Sequence, residues 1–356
     1  MKTIVTIVGA RPQFIKVAPV SRAIRNVPDL KELLVHTGQH FDANMSDVFF
    51  DELEIPKPDY TLDINGGGHG AMTGSMMQRL EPLLQDIKPD TVLIYGDTNS
   101  TLAGALTAAK LHIPVAHVEA GLRSFNRAMP EEINRVVADH LSDLLFASTA
   151  AATTNLLHEG VDGAKILEVG DVMYDAALMF ARRAEQHNGL LVRLAVVPKG
   201  FVLATIHRAE NTDDPVRLTA IISALEAVAA QLPVILPLHP RTRNAMAKLG
   251  LAFNRVKTLE PLGYLDMVAL ESQAAVIATD SGGVQKEAFF YGVPCVTLRT
   301  ETEWSELVDL GWNRLVSPDS GDIAQRVLEA VGTKGQESYP YGNGDAAPAI
   351  AAALAG

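Results

Sequence analysis

Three acidic residues in the N-terminal half of the chain stand where reactive carboxylates are useful. Asp97 follows the apolar run Thr91–Tyr95 in Gly96-Asp97-Thr98-Asn99-Ser100. Glu119 follows the run Val115–Val118, and Glu131 sits in Pro130-Glu131-Glu132-Ile133-Asn134-Arg135. Carboxylates at strand ends and loops suit proton transfer. Plainer readings compete. Asp97 also fits a helix N-cap, and Glu131 with Arg135, at i and i+4, also fits a surface ion pair. Arg11 and Lys16 flank the turn Gly9-Ala10-Arg11-Pro12-Gln13 after the first apolar run. At the carboxyl end of the first strand of a doubly wound sheet, such cations face a ligand crevice.

The C-terminal half carries a different chemistry. Asp280-Ser281-Gly282-Gly283-Val284-Gln285-Lys286-Glu287 follows an apolar run and precedes a helical one. Ser281, Gly282 and Gly283 then stand at a helix N-terminus, where unpaired N–H groups and the dipole attract an anion. Glu287 is too far into the helix to cap it but could reach two ribose hydroxyls. The stretch reads as a nucleotide-diphosphate clamp or, equally on local pattern, as an ordinary Gly-rich β–α turn with a surface Glu. Two basic clusters also follow apolar runs: His207-Arg208 after Phe201–Thr205, and His239-Pro240-Arg241-Thr242-Arg243 after Val234–Leu238. Together they make a local phosphate pocket.

These groups need elements to position them. Short apolar runs alternate with helical spacing from residue 3 to about 170. The pattern resumes at Phe201, with further runs at Val256–Leu259, Ala274–Ala278 and Cys295–Leu298. This is the pattern of α/β halves with parallel sheets, two Rossmann-like domains with a cleft between them. Helices are expected at Phe14–Ile24, 43–53, Met72–Ile87, Leu102–Leu111, from Pro130 to Leu141 and Ala176–Gln186. His187-Asn188-Gly189 is expected to break the last of these, and Ile64–Gly70 reads as a flexible loop. Met72, Met76, Met77, Leu80, Leu83 and Leu84 have the spacing of a core-facing stripe. Domain limits of 1–172 and 173–344 follow, with a short Ala-rich helix over Ala346–Ala355.

Bulk properties restrict the partners. The chain has 356 residues, 47% of them hydrophobic, enough for two cores. A net charge of −12 argues against nucleic acid and anionic membranes. One cysteine, Cys295, lies in a buried-strand pattern, so no disulfide framework or Cys-rich metal site is expected. No transmembrane run and no signal peptide are visible, which fits a reducing cytoplasm. His36, His40 and His69 are too scattered for a metal site, and no three-glycine dinucleotide fingerprint follows the first strand.

In order, the motifs Gly9–Lys16, Gly96-Asp97-Thr98, His117–Arg123, Pro130–Arg135, His207–Asn211 and Asp280–Glu287 resemble the non-hydrolysing UDP-N-acetylglucosamine 2-epimerase family, over nearly the whole chain. The resemblance implies a glycosyltransferase-B type fold, a C-terminal helix (about 345–356) packed back on the first domain, a homodimer, and no cofactor or metal. It implies removal of the C2 proton as UDP leaves C1, then return of the proton to the opposite face as UDP re-adds. Asp97, Glu119, Glu131 and His207 form the implied catalytic set, with the identity of the base open. Arg11, Lys16, Arg135, His239, Arg241, Ser281, Gly282, Gly283 and Glu287 form the implied substrate-binding set.

The sequence departs from the UDP-N-acetylglucosamine members after Gln39-His40, where Asp42 replaces a Gln-type position, and in the loop from Gly66 to Gly74. That loop, Phe125–Met129 and Thr302-Glu303-Trp304 look more like the branch acting on UDP-2,3-diacetamido-2,3-dideoxy-glucuronate, which serves O-antigen and lipopolysaccharide synthesis. A C6 carboxylate would need a donor such as Arg127, His69 or Arg299. A glycosyltransferase of the same fold, a hydrolysing epimerase and a non-catalytic UDP-sugar sensor are the rival readings.

Overall fold

The computed structural model describes residues 1–39, 50, 53–186 and 189–356. The expected helix over 43–53, the comparison at Asp42 and the break at His187-Asn188 fall wholly or largely outside these residues. The chain forms two compact units, Met1–Ala176 with Tyr339–Gly356, and Ala177–Ser338.

The first unit is built on a parallel sheet of β1 (Lys2–Val8), β2 (Leu30–His36), β3 (Tyr60–Thr61), β4 (Thr91–Tyr95), β5 (Val115–Ala120), β6 (Leu144–Ala147) and β7 (Ile166–Glu168), in the order β3-β2-β1-β4-β5-β6-β7. The second unit repeats the plan with β8 (Val202–Thr205), β9 (Val234–Pro237), β10 (Lys257–Leu259), β11 (Val276–Thr279), β12 (Cys295–Thr297) and β13 (Asn313–Leu315), ordered β10-β9-β8-β11-β12-β13. Both are Rossmann-like, as expected from the alternating apolar runs. In each, the strand order reverses beside the first strand, β1 against β4 and β8 against β11, and ligand crevices open at such switch points.

Central strands are apolar because both faces are covered. In the first unit Val5, Ile7, Val92 and Ile94 pack with Met76, Leu80 and Leu84 of helix His69–Ile87, and Met72, Met77 and Leu83 lie partly buried beside them. In the second, Val202, Ala204, Val276 and Ala278 pack with Leu218, Ile221 and Leu225 of helix Pro215–Ala229. Cys295 is a free, buried thiol in β12, and burial pushes its pKa up to about 12.

Several boundaries differ from the sequence expectation. The edge strands β3, β7 and β13 have only two or three residues each, too few to show a period. The helix expected from Met72 begins at His69, so part of the supposed Gly loop is helical. The next helix begins at Asn99, and its cap is Thr98, whose side chain accepts from the Thr101 N–H. The capping alternative for Asp97 therefore fails. The expected helix at 176–186 begins at Val172, where Asp171 accepts from the Met173 N–H at 2.8 Å.

The segment that rejoins the first unit starts at Tyr339, earlier than residue 345, because Tyr341 is buried and its carbonyl accepts from the Asp171 N–H. A Cβ on Gly170, whose φ is +88°, would lie 2.8 Å from the Tyr341 oxygen, so only glycine allows this approach. Helix Ala346–Ala355 has no side-chain cap of its own. Asp175 supplies one from a distance, accepting from the N–H groups of Ala346 and Ala347 at 3.2 and 2.9 Å.

Burial raises the Asp175 pKa from 3.8 to about 6, against the lowering effect of those N–H groups. A raised carboxyl contributes stability that is complete below its unfolded value and is lost as pH rises through its folded value. The wild type is therefore expected to lose melting temperature between pH 4 and 6 relative to Asp175→Asn, on the order of 5 °C. Parallel melting profiles for the two proteins would show that Asp175 does not titrate in this way.

Candidate active site

In the first unit the loops after β1, β2 and β4 are tied together by buried polar side chains. The Gln13 carbonyl accepts from the N–H groups of Gly9 and Ala10 at 2.8 and 3.0 Å. Its amide nitrogen donates to the Tyr95 carbonyl at 2.8 Å. The Thr37 and Ser100 hydroxyls meet at 2.8 Å, and the Gln39 carbonyl accepts from Ser100. A Cβ on Gly9 would lie 2.0 Å from the Thr37 oxygen and 2.3 Å from that of Ser100. Any larger residue there would push the β1 turn off β4.

The turn after β4 has a second brace. His117, fully buried in β5, bonds to Asp139 through Nδ1 and to the Gly96 carbonyl through Nε2, both at 2.7 Å. Both ring nitrogens thus face oxygen acceptors. Asp139 also accepts from the Gly121 N–H at 3.1 Å and pairs with Arg123 at 2.7 Å. Burial would raise the Asp139 carboxyl, but the bonds to His117 and Arg123 outweigh it and hold the pKa below its ordinary value.

These braces deliver two carboxylates, each paired with a cation. Asp97 pairs with Arg135, and Glu119 pairs with Lys16. Glu119 lies at a register shift between β5 and β6 and has φ +71°. That region is unfavourable for a non-glycine residue and recurs at functional positions. Gly96 gives the carboxylate room, since a Cβ there would stand 3.2 Å from Glu119 Oε2 and 3.6 Å from Lys16 Nζ. Burial lowers the Lys16 pKa, but Glu119, with smaller contributions from Asp171 and Asp97, more than compensates and raises it.

The remaining candidates of this unit are less closely joined. Arg11 is the first residue of helix Arg11–Arg25. Glu131 is exposed in the first turn of helix Pro130–Leu141. Arg135 bonds to Asp97 and to Glu132 at 3.2 Å, so the expected Glu131–Arg135 surface pair is replaced. Glu132 is buried and accepts from Ser124 and Phe125 at 2.9 Å. Burial would raise its pKa, but these bonds and Arg135 lower it. Sequence reasoning passed over Glu132, His117 and Asp139. The one signal available was that His117 and Glu132 each lie inside a motif that also holds a candidate; Asp139 lies outside every motif.

In the second unit Asp280, fully buried after β11, gathers the loop after β8. It accepts from the backbone N–H groups of His207 and Arg208 at 3.0 Å and from the Asn211 amide at 3.1 Å. The His207 and His239 rings lie 5.6 Å apart. His239 caps helix Pro240–Leu249, and its pKa is lowered by burial, then by His207 and Arg241. Ser281 caps helix Gly282–Phe290, leaving Gly282 and Gly283 in its first turn as expected. Arg241 is held by Asp213 at 2.7 Å and Thr212 at 2.9 Å. Glu303 lies beside Gly282 and pairs with Arg299 at 2.8 Å and Arg208 at 3.3 Å. Trp304 donates to the Gly282 carbonyl at 2.8 Å.

Glu287 has a neighbour that the sequence did not reveal. Glu271 is buried in helix Tyr264–Gln273. Burial, then the like charge of Glu287, pushes the Glu271 pKa well above the carboxylate range, and burial raises Glu287 to about 7. Among the described residues no group of three His, Cys, Asp or Glu side chains is placed to hold a metal ion, and no helix is long and apolar enough to cross a membrane.

Comparison with known proteins adds independent findings. Residues 22–355 match the family model described as UDP-N-acetylglucosamine 2-epimerase. A UDP-2,3-diacetamido-2,3-dideoxy-D-glucuronate 2-epimerase from Pseudomonas aeruginosa is 55% identical over 356 residues, covering 99% of each chain. A UDP-N-acetylglucosamine 2-epimerase from Methanocaldococcus jannaschii is 43% identical, covering 95% of this chain and 94% of the other. A solved structure of the UDP-GlcNAc 2-epimerase from that organism matches with TM-score 0.90 and 41% identity, covering 99% and 98% of the two chains. A structure of it in complex with UDP-GlcNAc and UDP matches with TM-score 0.80, 42% identity and the same coverage.

The raised carboxyls give a stability test. Their contribution is complete below pH about 4.5 and is lost as pH rises through about 7. Glu271→Gln, which removes the like charge, is expected to be more stable than the wild type at pH 8.5 and no more stable at pH 5. Denaturant midpoints at the two pH values measure this, and an equal difference at both would contradict the pairing.

Proposed function

The chain belongs to the UDP-N-acetylglucosamine 2-epimerase family, and from that premise we infer that it is an isomerase that inverts C2 of an N-acetylated UDP-sugar without net loss of UDP. The substrate of this reading is UDP-2,3-diacetamido-2,3-dideoxy-D-glucuronate, converted to the mannuronate epimer. The observation that carries it is the 55% identity, over 99% of both chains, to the Pseudomonas aeruginosa epimerase of that name. UDP-N-acetylglucosamine is the alternative, favoured by the archaeal relatives.

The chemistry sets the requirements. A C2 proton with no adjacent carbonyl is barely acidic, so its removal must accompany departure of the diphosphate. The C2–H pair becomes the C1–C2 double bond, the C1–O bond breaks toward UDP, and the proton moves to a carboxylate. Re-addition reverses the flow, with a proton delivered to the other face of C2. Asp97 and Glu119 supply carboxylates on two strand ends, each with its own cation, and Glu131 completes the set. Arg11, Lys16 and Arg135 balance the charge around them.

The second unit holds the leaving group. Ser281, Gly282 and Gly283 offer helix N-terminal N–H groups to the diphosphate, His207, His239 and Arg241 contribute donors, and Glu287 takes the ribose hydroxyls. Stabilising charge that develops on the leaving group is the largest expected contribution. A homodimer in the cytoplasm, supplying a sugar for O-antigen or other lipopolysaccharide assembly, completes the reading.

Incubating each UDP-sugar in D2O and following it by NMR tests the proposal. Deuterium at C2, a mixture of epimers and little free UDP are expected, with the diacetamido-uronate the faster substrate. No incorporation from either sugar would overturn the reading, and stoichiometric UDP release would replace it with a hydrolysing reaction. Asp97→Asn or Glu119→Gln is expected to lower turnover by about 10²-fold or more. Wild-type rates would remove the residue from the mechanism.

A further inference from the structure

A cavity of about 560 Å³ lies within the first unit, among helices His69–Ile87, Asn99–Lys110 and Pro130–Leu141. Of the roles considered above, only that of His69 as a candidate donor to a C6 carboxylate touches it. Its apolar wall includes Met77, Leu102 and Ile133, and its polar residues are His69, Thr73, Asn99 and Asn134.

Two observations show how the space is made and where it leads. Gly70 and Gly74 line the cavity at i and i+4 on one helix face. A Cβ built on either would meet nothing within 4 Å, and neither has a φ in the left-handed region. Glycine is a poor helix former, and here neither backbone conformation nor close packing calls for it; what the two glycines provide is room.

The polar end leads to Asp97. The Asn134 amide nitrogen donates to the Asp97 carbonyl at 2.9 Å and to Asn99 Oδ1 at 3.3 Å. The Asn99 amide in turn contacts His69 Nδ1 at 3.2 Å. An apolar recess that ends in carboxamides beside a candidate proton-transfer group matches an acetamido substituent. Its methyl would enter the apolar part, and its N–H and C=O would face Asn134, Asn99 and His69.

We propose that this cavity receives the acetamido group on C3 of the sugar and so distinguishes diacetamido sugars from those with a C3 hydroxyl. The position follows from geometry: C3 is one bond from the carbon whose proton Asp97 is positioned to handle, and a hydroxyl would leave the apolar part unfilled. The assignment rests on the UDP-sugar epimerase reading and adds the subsite that sets its specificity.

The test places bulk at the cavity wall without disturbing the fold. Gly74→Leu places a side chain in open space on a helix, and Gly74→Ala is a milder version. Both are expected to melt no lower than the wild type. Calorimetric Kd values are compared for UDP-2,3-diacetamido-2,3-dideoxy-glucuronate and UDP-2-acetamido-2-deoxy-glucuronate, which differ only at C3. The wild type is expected to prefer the diacetamido sugar, and Gly74→Leu to reduce that preference by about tenfold or more. Gly74→Ala should show a smaller loss in the same direction.

An unchanged preference, or an equal loss for both sugars, would overturn the assignment. Because the readout is binding, it is separable from catalysis. A wild type that discriminates between the sugars but exchanges no C2 proton would defeat the epimerase reading and leave the cavity assignment standing.

Discussion

The buried bond from His117 to Asp139 on one side and the Gly96 carbonyl on the other is the interaction on which the first unit's site depends. It joins β5, the helix that carries Arg135 and the turn that carries Asp97. Asp139 also takes Arg123 and the Gly121 N–H, so one carboxylate fixes both sides of the loop after β5. Removing one member of such a buried ionic set leaves the others uncompensated, at a cost of about 3–5 kcal/mol. The candidate acids themselves are more exposed. Their geometry comes from groups that solvent does not reach.

The second unit uses the same device for the opposite purpose. Asp280, also fully buried after a central strand, gathers the N–H groups of the loop after β8. In the first unit the buried network positions carboxylates. In the second it positions a loop of donors next to a helix N-terminus. One sheet plan thus carries paired carboxylates in one unit and a loop of donors in the other, and what differs is the residues placed at the strand ends.

Much of the fold could be read from the sequence because central strands in parallel sheets are short apolar runs bounded by turn residues. The edge strands β3, β7 and β13 could not, since two or three residues carry no pattern, whereas the edge strand β10 coincides with the run Val256–Leu259. Asp97 and Glu119 were legible because strand ends were legible. The roles of Glu132, His117 and Asp139 depend on contacts 7 to 22 residues distant in the chain, which spacing does not encode. Thr98 rather than Asp97 caps its helix, and Asp97 instead meets Arg135, 38 residues away. Glu271 reads as an ordinary helical residue until it is found buried near Glu287. Gly70 fell in the stretch expected to be a loop, whereas the structure places it, with Gly74, in a helix beside a cavity.

The central claim is that the bond from C1 to the diphosphate breaks and re-forms while UDP stays bound. A UDP-sugar carrying ¹⁸O in the bridge between C1 and the β-phosphorus tests this directly. When UDP leaves and returns, the β-phosphate can rotate, so the label should move into non-bridging positions at a rate comparable with C2 inversion, with little UDP released. Inversion at C2 with the label held in the bridge would contradict the account.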